Sequence, residues 1–393
     1  MKQLPTTRFV YLDHAAATPV RAEVGRAMLP FFVKQFANPA ALYSAGVRAK
    51  QALEQSRAII GRILGAPADT IIFTSGGTEA NNLAIYGITQ NCQRPGHLIT
   101  SRLEHPAVAN PLKSLTKQGW KITYLKNNRQ GLVDPRQAIK AIRANTVLIS
   151  IGYANNEIGT VQPIAEIGRQ LLRWRQQHRR SYPYFHTDAC QAAGFLDLKV
   201  EKLHVDLMTI NASKIYGPKG SGLLYVRRGI TLTPLMRGGG QERGARSGTE
   251  NVPGIIGLAK ALALAEREKS SVTKKLNRLT AYFYQTLLNR GLVGRDSLNG
   301  PAIGTNRLPN NLNLTFSGID GETLLLYLDR WGIAASAGSA CAASSAEPSA
   351  TLQAIGRRPA AARSLRFTLG RTTTKSDLDY TVNTLQTILS KFK

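Results

Sequence analysis

Three cysteines in 393 residues, Cys92, Cys190 and Cys341, are too few and too scattered for a disulfide framework or a metal cluster. No metal site is expected, a reducing compartment fits, and each thiol needs its own explanation. Acidic residues are also scarce, 24 against 51 lysines and arginines, which leaves a formal charge of +27. That excess keeps a surface solvated and attracts polyanions. The basic cluster at 169–180 has no zinc-finger spacing or RNA-binding aromatic signature with it, so nucleic acid is expected only through non-specific charge. Apolar runs of membrane-spanning length are missing, and residues 1–8 lack the apolar centre of a signal peptide. No membrane association and a cytoplasmic location are therefore the expectation.

What is present is alternation. Hydrophobic content of 43% and length of 393 suit one large and one small domain. Apolar, β-branched runs at 70–73, 98–101, 122–125, 146–151, 184–187, 205–210 and 222–226 read as strands. Between them lie helical segments at 79–88 and 163–178, and Asp134-Pro135 opens another as a cap followed by proline. An amphipathic segment covers 23–36, and Ser44 is placed to cap a helix running to about residue 64. This order argues for an α/β domain with a mostly parallel sheet. Beyond Gly254 the pattern changes: two long helices at 255–269 and 272–289, a strand at 311–315, a helix at 322–331, a strand at 364–369 and a helix from about 376. These describe a smaller α+β domain packed with the N-terminal segment.

The chemistry gathers at strand ends. Asn211-Ala212-Ser213-Lys214-Ile215-Tyr216-Gly217-Pro218-Lys219-Gly220 lies between two strands. Lys214 there, among small residues, suits either a solvated loop lysine or a lysine forming a Schiff base with pyridoxal phosphate, which the rest of the chain must decide. Thr74-Ser75-Gly76-Gly77-Thr78-Glu79 joins a strand to a helix, where free N–H groups favour an anion. Asp188, closing the strand at 184–187, suits either a helix cap or a partner for a protonated pyridine nitrogen, and Gln191 just beyond it a donor to the ring oxygen. His105, in Glu104-His105-Pro106, is either a satisfied structural residue or a ring stacked on a flat cofactor. Cys341 stands in Gly338-Ser339-Ala340-Cys341-Ala342-Ala343-Ser344-Ser345-Ala346, with nothing bulky to anchor it, as a candidate nucleophile or carrier. Cys92 and Cys190 read as structural.

Together and in this order, these segments resemble the pyridoxal-phosphate-dependent cysteine desulfurases of the NifS/IscS type. The resemblance runs from Tyr11 to about Asp379. It is most specific at 74–82, Asn155-Asn156-Glu157-Ile158-Gly159, 214–220, 238–249 and 338–341. It implies a fold-type I transferase: a large domain (15–260) with a mostly parallel seven-stranded sheet, and a small domain (1–14 and 261–393) carrying the cysteine loop. It implies a homodimer, with L-cysteine as substrate and an iron-sulfur scaffold or another sulfur-acceptor protein as partner. Lys214 then matches the Schiff-base lysine, Asp188 the pyridinium partner and His105 the stacking ring. Asn156 and Gln191 match binders of polar substituents. Gly77, Thr78 and Ser213 would hold the phosphate, with Thr249 from the partner subunit. Arg366 resembles the clamp on the substrate carboxylate, and Cys341 the cysteine that accepts sulfur as a persulfide while alanine leaves. Ser213, Tyr43 and Gln241 stand where many members carry histidine, which bears on the proton route and the rate. The alternatives are a selenocysteine lyase or a cystine C–S lyase on the same fold, or a basic binding protein without catalysis.

Overall fold

The structure, a computed structural model, describes residues 8–337 and 349–392. β1 (Val10–Tyr11) opens the described chain. β2 (Ile71–Thr74), β3 (His97–Ser101), β4 (Lys121–Leu125), β5 (Thr146–Ser150), β6 (Tyr184–Asp188), β7 (Leu207–Asn211) and β8 (Gly222–Val226) form a seven-stranded sheet in the order β2-β8-β7-β6-β5-β3-β4. β3 pairs parallel with β4 and β5, β5 with β6, and β6 with β7. β8 is antiparallel to both of its neighbours, β2 and β7.

These strands are apolar at successive positions because helices cover both faces. Ile99, Ile149, Phe185, Met208 and Leu223 enter one core, under the helices Ser44–Leu64 and Ile164–His178. Leu98, Leu148, Leu207 and Leu224 enter the other, under Gly77–Thr89 and Pro106–Lys117. A further core is built on β9 (Asn311–Thr315), β10 (Ile333–Ala334) and β11 (Ser364–Thr368), with the helices Gly321–Arg330 and Lys375–Leu389. β1 pairs parallel with β10, which draws Val10 and Leu12 into this core.

The two helices expected at 255–269 and 272–289 are one helix, Val252–Asn289, of 38 residues and about 57 Å at the standard rise. Its first half packs Ile255, Leu258 and Leu262 on the sheet, and its second half packs Leu276, Phe283 and Leu287 in the third core. The polar interval between them holds no glycine or proline, so the helix continues through it. Ser44 is the first residue of its helix rather than the cap. Extended Tyr43 takes the cap position without a side-chain bond. Asp134 does cap its helix, accepting from the Arg136 N–H at 2.9 Å. No helix among the described residues is long and apolar enough to cross a membrane.

Candidate active site

Because β2, β3, β5, β6 and β7 run the same way, their carboxyl ends share one edge of the sheet. In open α/β sheets ligand sites form there. A cleft of about 210 Å³ opens at that edge, walled by the residues following each of these strands, by the loop carrying Ala15 and Ala16, and by Arg366 of β11.

Lys214 closes a single 3₁₀ turn, Ala212–Lys214, directly after β7. Its Nζ donates to the Ala16 carbonyl. The turn is clamped by Thr18, whose N–H and Oγ1 both donate to the Ser213 carbonyl at 2.9 Å. Thr18 Oγ1 in turn accepts from the Tyr216 N–H at 2.7 Å. Asp188 ends β6, and each of its oxygens is engaged: Oδ2 accepts from Asn81 Nδ2 at 2.6 Å and Oδ1 from the Cys190 N–H at 2.9 Å. Gln191, in the same turn, spends its Nε2 on the Ala15 carbonyl at 3.0 Å.

His105 caps the helix Pro106–Lys117. Its Nδ1 accepts from the Ala107 N–H at 3.1 Å, so a neutral ring carries its proton on Nε2. Pro106, at the first helical position, needs no donor partner. Across the cleft, Gly77 and Thr78 begin the helix Gly77–Thr89, whose cap residue Gly76 offers no side-chain acceptor to the first N–H groups. A side chain is excluded at Gly77, where a Cβ would lie 2.8 Å from Cys190 Sγ.

Arg366 is 1% exposed. Its Nη2 donates to Asp13 at 2.6 Å and its Nη1 to the Asn156 carbonyl at 3.0 Å, while Nε is buried without a partner among the described residues. The Asn156 loop is pinned from the third core, since Asn311 and Asn313 both donate to the Glu157 carbonyl at 3.1 Å.

Lys214, Asp188, His105, Gln191, Asn156, Gly77, Thr78 and Arg366 thus line one cleft. Ser213 stands beside them, but only its neighbour Lys214 is on the wall. Thr249 lines a separate cavity with Thr74, Ser75 and Arg246, outside this cleft. Cys190 does line the cleft, but burial above all pushes its thiol well up, which disfavours a thiolate. Burial also raises the Cys92 thiol. Cys341 lies outside the described residues.

Asn81, Asn211, Asp13 and Glu104 also line or reach the site, with no role marked in the sequence. Asn81 was legible in principle, four residues after Gly77 and so on the same face of its helix. Asp13 joins the site through a contact 353 residues away in the chain, for which no local signal exists.

The class-V aminotransferase family model matches residues 10–381. A cysteine desulfurase IscS from Dictyoglomus turgidum is 47% identical, covering 98% of this chain and 96% of that one. Among solved structures, a NifS-like protein superimposes with a TM-score of 0.88 at 33% identity, covering 98% of this chain and 100% of that one. SspA, solved in complex with cysteine, has a TM-score of 0.78 at 36% identity, covering 93% of this chain and 100% of that one. With a parallel sheet that ends in a lysine, an aspartate and a histidine around one cleft, this chain belongs to the class-V aminotransferase family, in its cysteine desulfurase branch.

Proposed function

We propose that the chain removes sulfur from L-cysteine, releasing L-alanine and leaving a persulfide on Cys341, with pyridoxal phosphate held in the cleft. The observation that carries this reading is the convergence of Lys214, Asp188, His105 and Arg366 on one cavity. The family generally depends on pyridoxal phosphate, and the cleft fits such a group on its own terms. Buried polar atoms in native folds are normally paired, yet Asn81 Oδ1, Asn211 Oδ1 and Arg366 Nε are buried here without partners among the described residues. The uncapped start of Gly77–Thr89 offers N–H groups and a favourable dipole to a phosphate.

Bound there, the cofactor would supply an electron sink for charge left at the substrate α-carbon. Lys214 would anchor it covalently and, once displaced, receive the α-proton at Nζ. Asp188, held from both sides, would keep the ring nitrogen protonated. His105 would lie over the ring, and Asn156 and Gln191 would meet its polar substituents. Gly77, Thr78 and Ser213 would serve the phosphate. Arg366 would take the substrate carboxylate, a planar task for which guanidinium is suited. The Cys341 thiolate would form the new S–S bond as the substrate C–S bond breaks. Cysteine plus thiol becomes alanine plus persulfide, with no outside oxidant. The backbone of Ser336 pairs with Arg366 in both directions, at 3.1 and 2.7 Å.

A homodimer is supported by Thr249 lying outside the cleft and by a run of exposed apolar side chains, among them Phe32, Phe36 at 76% and Leu42 at 95%. A division of the chain near residues 14 and 260 is supported by the sheet cores and the third core meeting along Val252–Asn289. An iron-sulfur scaffold or another sulfur-acceptor protein would take the persulfide onward.

The test is alanine and sulfide release from L-cysteine with reductant, for wild type and Cys341→Ser. Matched products from the wild type, lost in the variant, support the reading. Undiminished activity in the variant would make the chain a C–S lyase.

A further inference from the structure

Glu104 has no part in the chemistry above, yet its side chain lies on the wall of the same cleft, next in sequence to His105. Its oxygens are hung between two strand ends. Oε1 accepts from Ser101 Oγ at 2.6 Å, at the end of β3, and from the Gly152 N–H at 3.1 Å, just past β5. Oε2 accepts from the same Gly152 N–H at 2.9 Å. The turn between is tied twice more: the Leu103 N–H donates to Ser101 Oγ at 3.1 Å, and the Leu103 carbonyl accepts from Asn155 Nδ2 at 3.0 Å. Among the described residues, the hydrogen bonds to the Glu104 carboxyl come from donors. That suits a carboxylate: the Gly152 N–H, which reaches both oxygens, can only donate, and a protonated carboxyl would present one of those oxygens to it as a hydroxyl.

We propose that Glu104 is a positioning residue for His105: its ionised carboxyl braces the turn that carries the His105 ring into the cleft, and protonation releases that brace. The proposal rests on the desulfurase reading for the task of His105.

The surroundings make this brace titratable in the working range. No lysine or arginine among the described residues lies within salt-bridge distance of Glu104. Asp188 at the end of β6 faces it with like charge, while Lys214 after β7, Arg366 on β11 and His105 share the cleft. Desolvation is the largest influence and raises the carboxyl to about 7, against the hydrogen bonds from Ser101 and Gly152. Part of the side chain keeps an opening, which is onto the cleft.

The experiment is a pH titration of the visible absorbance of the cofactor-loaded enzyme, with kcat and KM for alanine formation over the same range. It compares wild type, Glu104→Gln and Gly152→Ala. Glutamine has the same shape but no charge, and a Cβ on Gly152 would crowd Glu104 Oε2 at 3.3 Å without removing the charge. The expected result is a step near neutral pH in both the absorbance and kcat of the wild type. It disappears in Glu104→Gln, where kcat is lower on the order of tenfold and KM little changed. In Gly152→Ala the step is displaced. A step retained unchanged in Glu104→Gln, or absent from the wild type, overturns the proposal. Should Glu104→Gln not fold, an undisplaced step in Gly152→Ala overturns it equally. If the loaded wild type makes no alanine from cysteine, the desulfurase reading fails and the absorbance step alone decides for or against Glu104. If no cofactor absorbance develops, both readings fall.

Discussion

Asn81 Nδ2 stands 2.6 Å from Asp188 Oδ2, a helix side chain holding the acid at the end of β6. A hydrogen bond to an ionised acceptor is worth about 1.5–3 kcal/mol. Asn81→Ala is expected to weaken cofactor retention by about tenfold or more, because Asp188 loses one of the two donors that orient it. Cofactor binding followed by absorbance checks this. Retention equal to wild type would remove Asn81 from the site.

Arg366 is buried with Asp13 and the Asn156 carbonyl on its terminal nitrogens, so its plane is set before any substrate arrives. Arg366→Lys is expected to raise KM for L-cysteine about tenfold to a hundredfold, since a point charge replaces a fork. Asp13→Asn should raise it less. Steady-state kinetics for both variants decides the order.

The pair Arg57–Glu242 braces the strand leading into the Thr74–Thr78 turn. Its guanidinium and carboxylate meet at 2.8 Å, both side chains nearly inaccessible, and Glu242 also accepts from the Phe73 N–H at 2.9 Å. Glu242→Ala leaves the buried Arg57 guanidinium with the half-exposed Glu54 at 3.3 Å as its remaining carboxylate and is expected to cost up to about 3–5 kcal/mol of stability. Urea unfolding measures it.

Two groups near the cleft bend the stability curve in opposite senses. Buried His186 lies between Ser150 Oγ at 2.8 Å and Thr209 Oγ1 at 3.1 Å, and desolvation lowers it from 6.5 to about 4. Its contribution is present above pH 6.5 and lost as pH falls toward 4, by up to ~3 kcal/mol. Glu104 is raised from 4.5 to about 7, so its contribution is present below pH 4.5 and lost as pH rises through 7. Relative to wild type, the apo form of Glu104→Gln should therefore gain stability between pH 4.5 and 7. His186→Asn should gain as pH falls from 6.5 to 4, less the constant cost of its lost hydrogen bonds. Urea unfolding at several pH values gives both differences.

Glu157, next in sequence to Asn156 of the cleft wall, accepts from Ser349 Oγ and from Thr351 Oγ1 at 3.1 Å. Glu157→Gln is expected to slow persulfide formation on Cys341 about tenfold, with cofactor retention unchanged. Single-turnover labelling of the persulfide is the measurement, and an unchanged rate would leave Glu157 a purely structural tie.

Strand–helix alternation and the apolar runs determined the parallel sheet from the sequence alone, because burial on both faces leaves its mark on consecutive residues. Lys214, Asp188 and His105 were legible for a similar reason: each stands at a strand end, and parallel strands bring their carboxyl ends to one edge. The continuous helix Val252–Asn289 was not legible, since a polar interval reads alike whether it ends a helix or crosses solvent between two cores. Nor were Asp13 on Arg366, Asn81 on Asp188 or the hanging of Glu104 between β3 and β5. Those contacts join residues from 48 to 353 positions apart, and only packing, which has no local period, decided them.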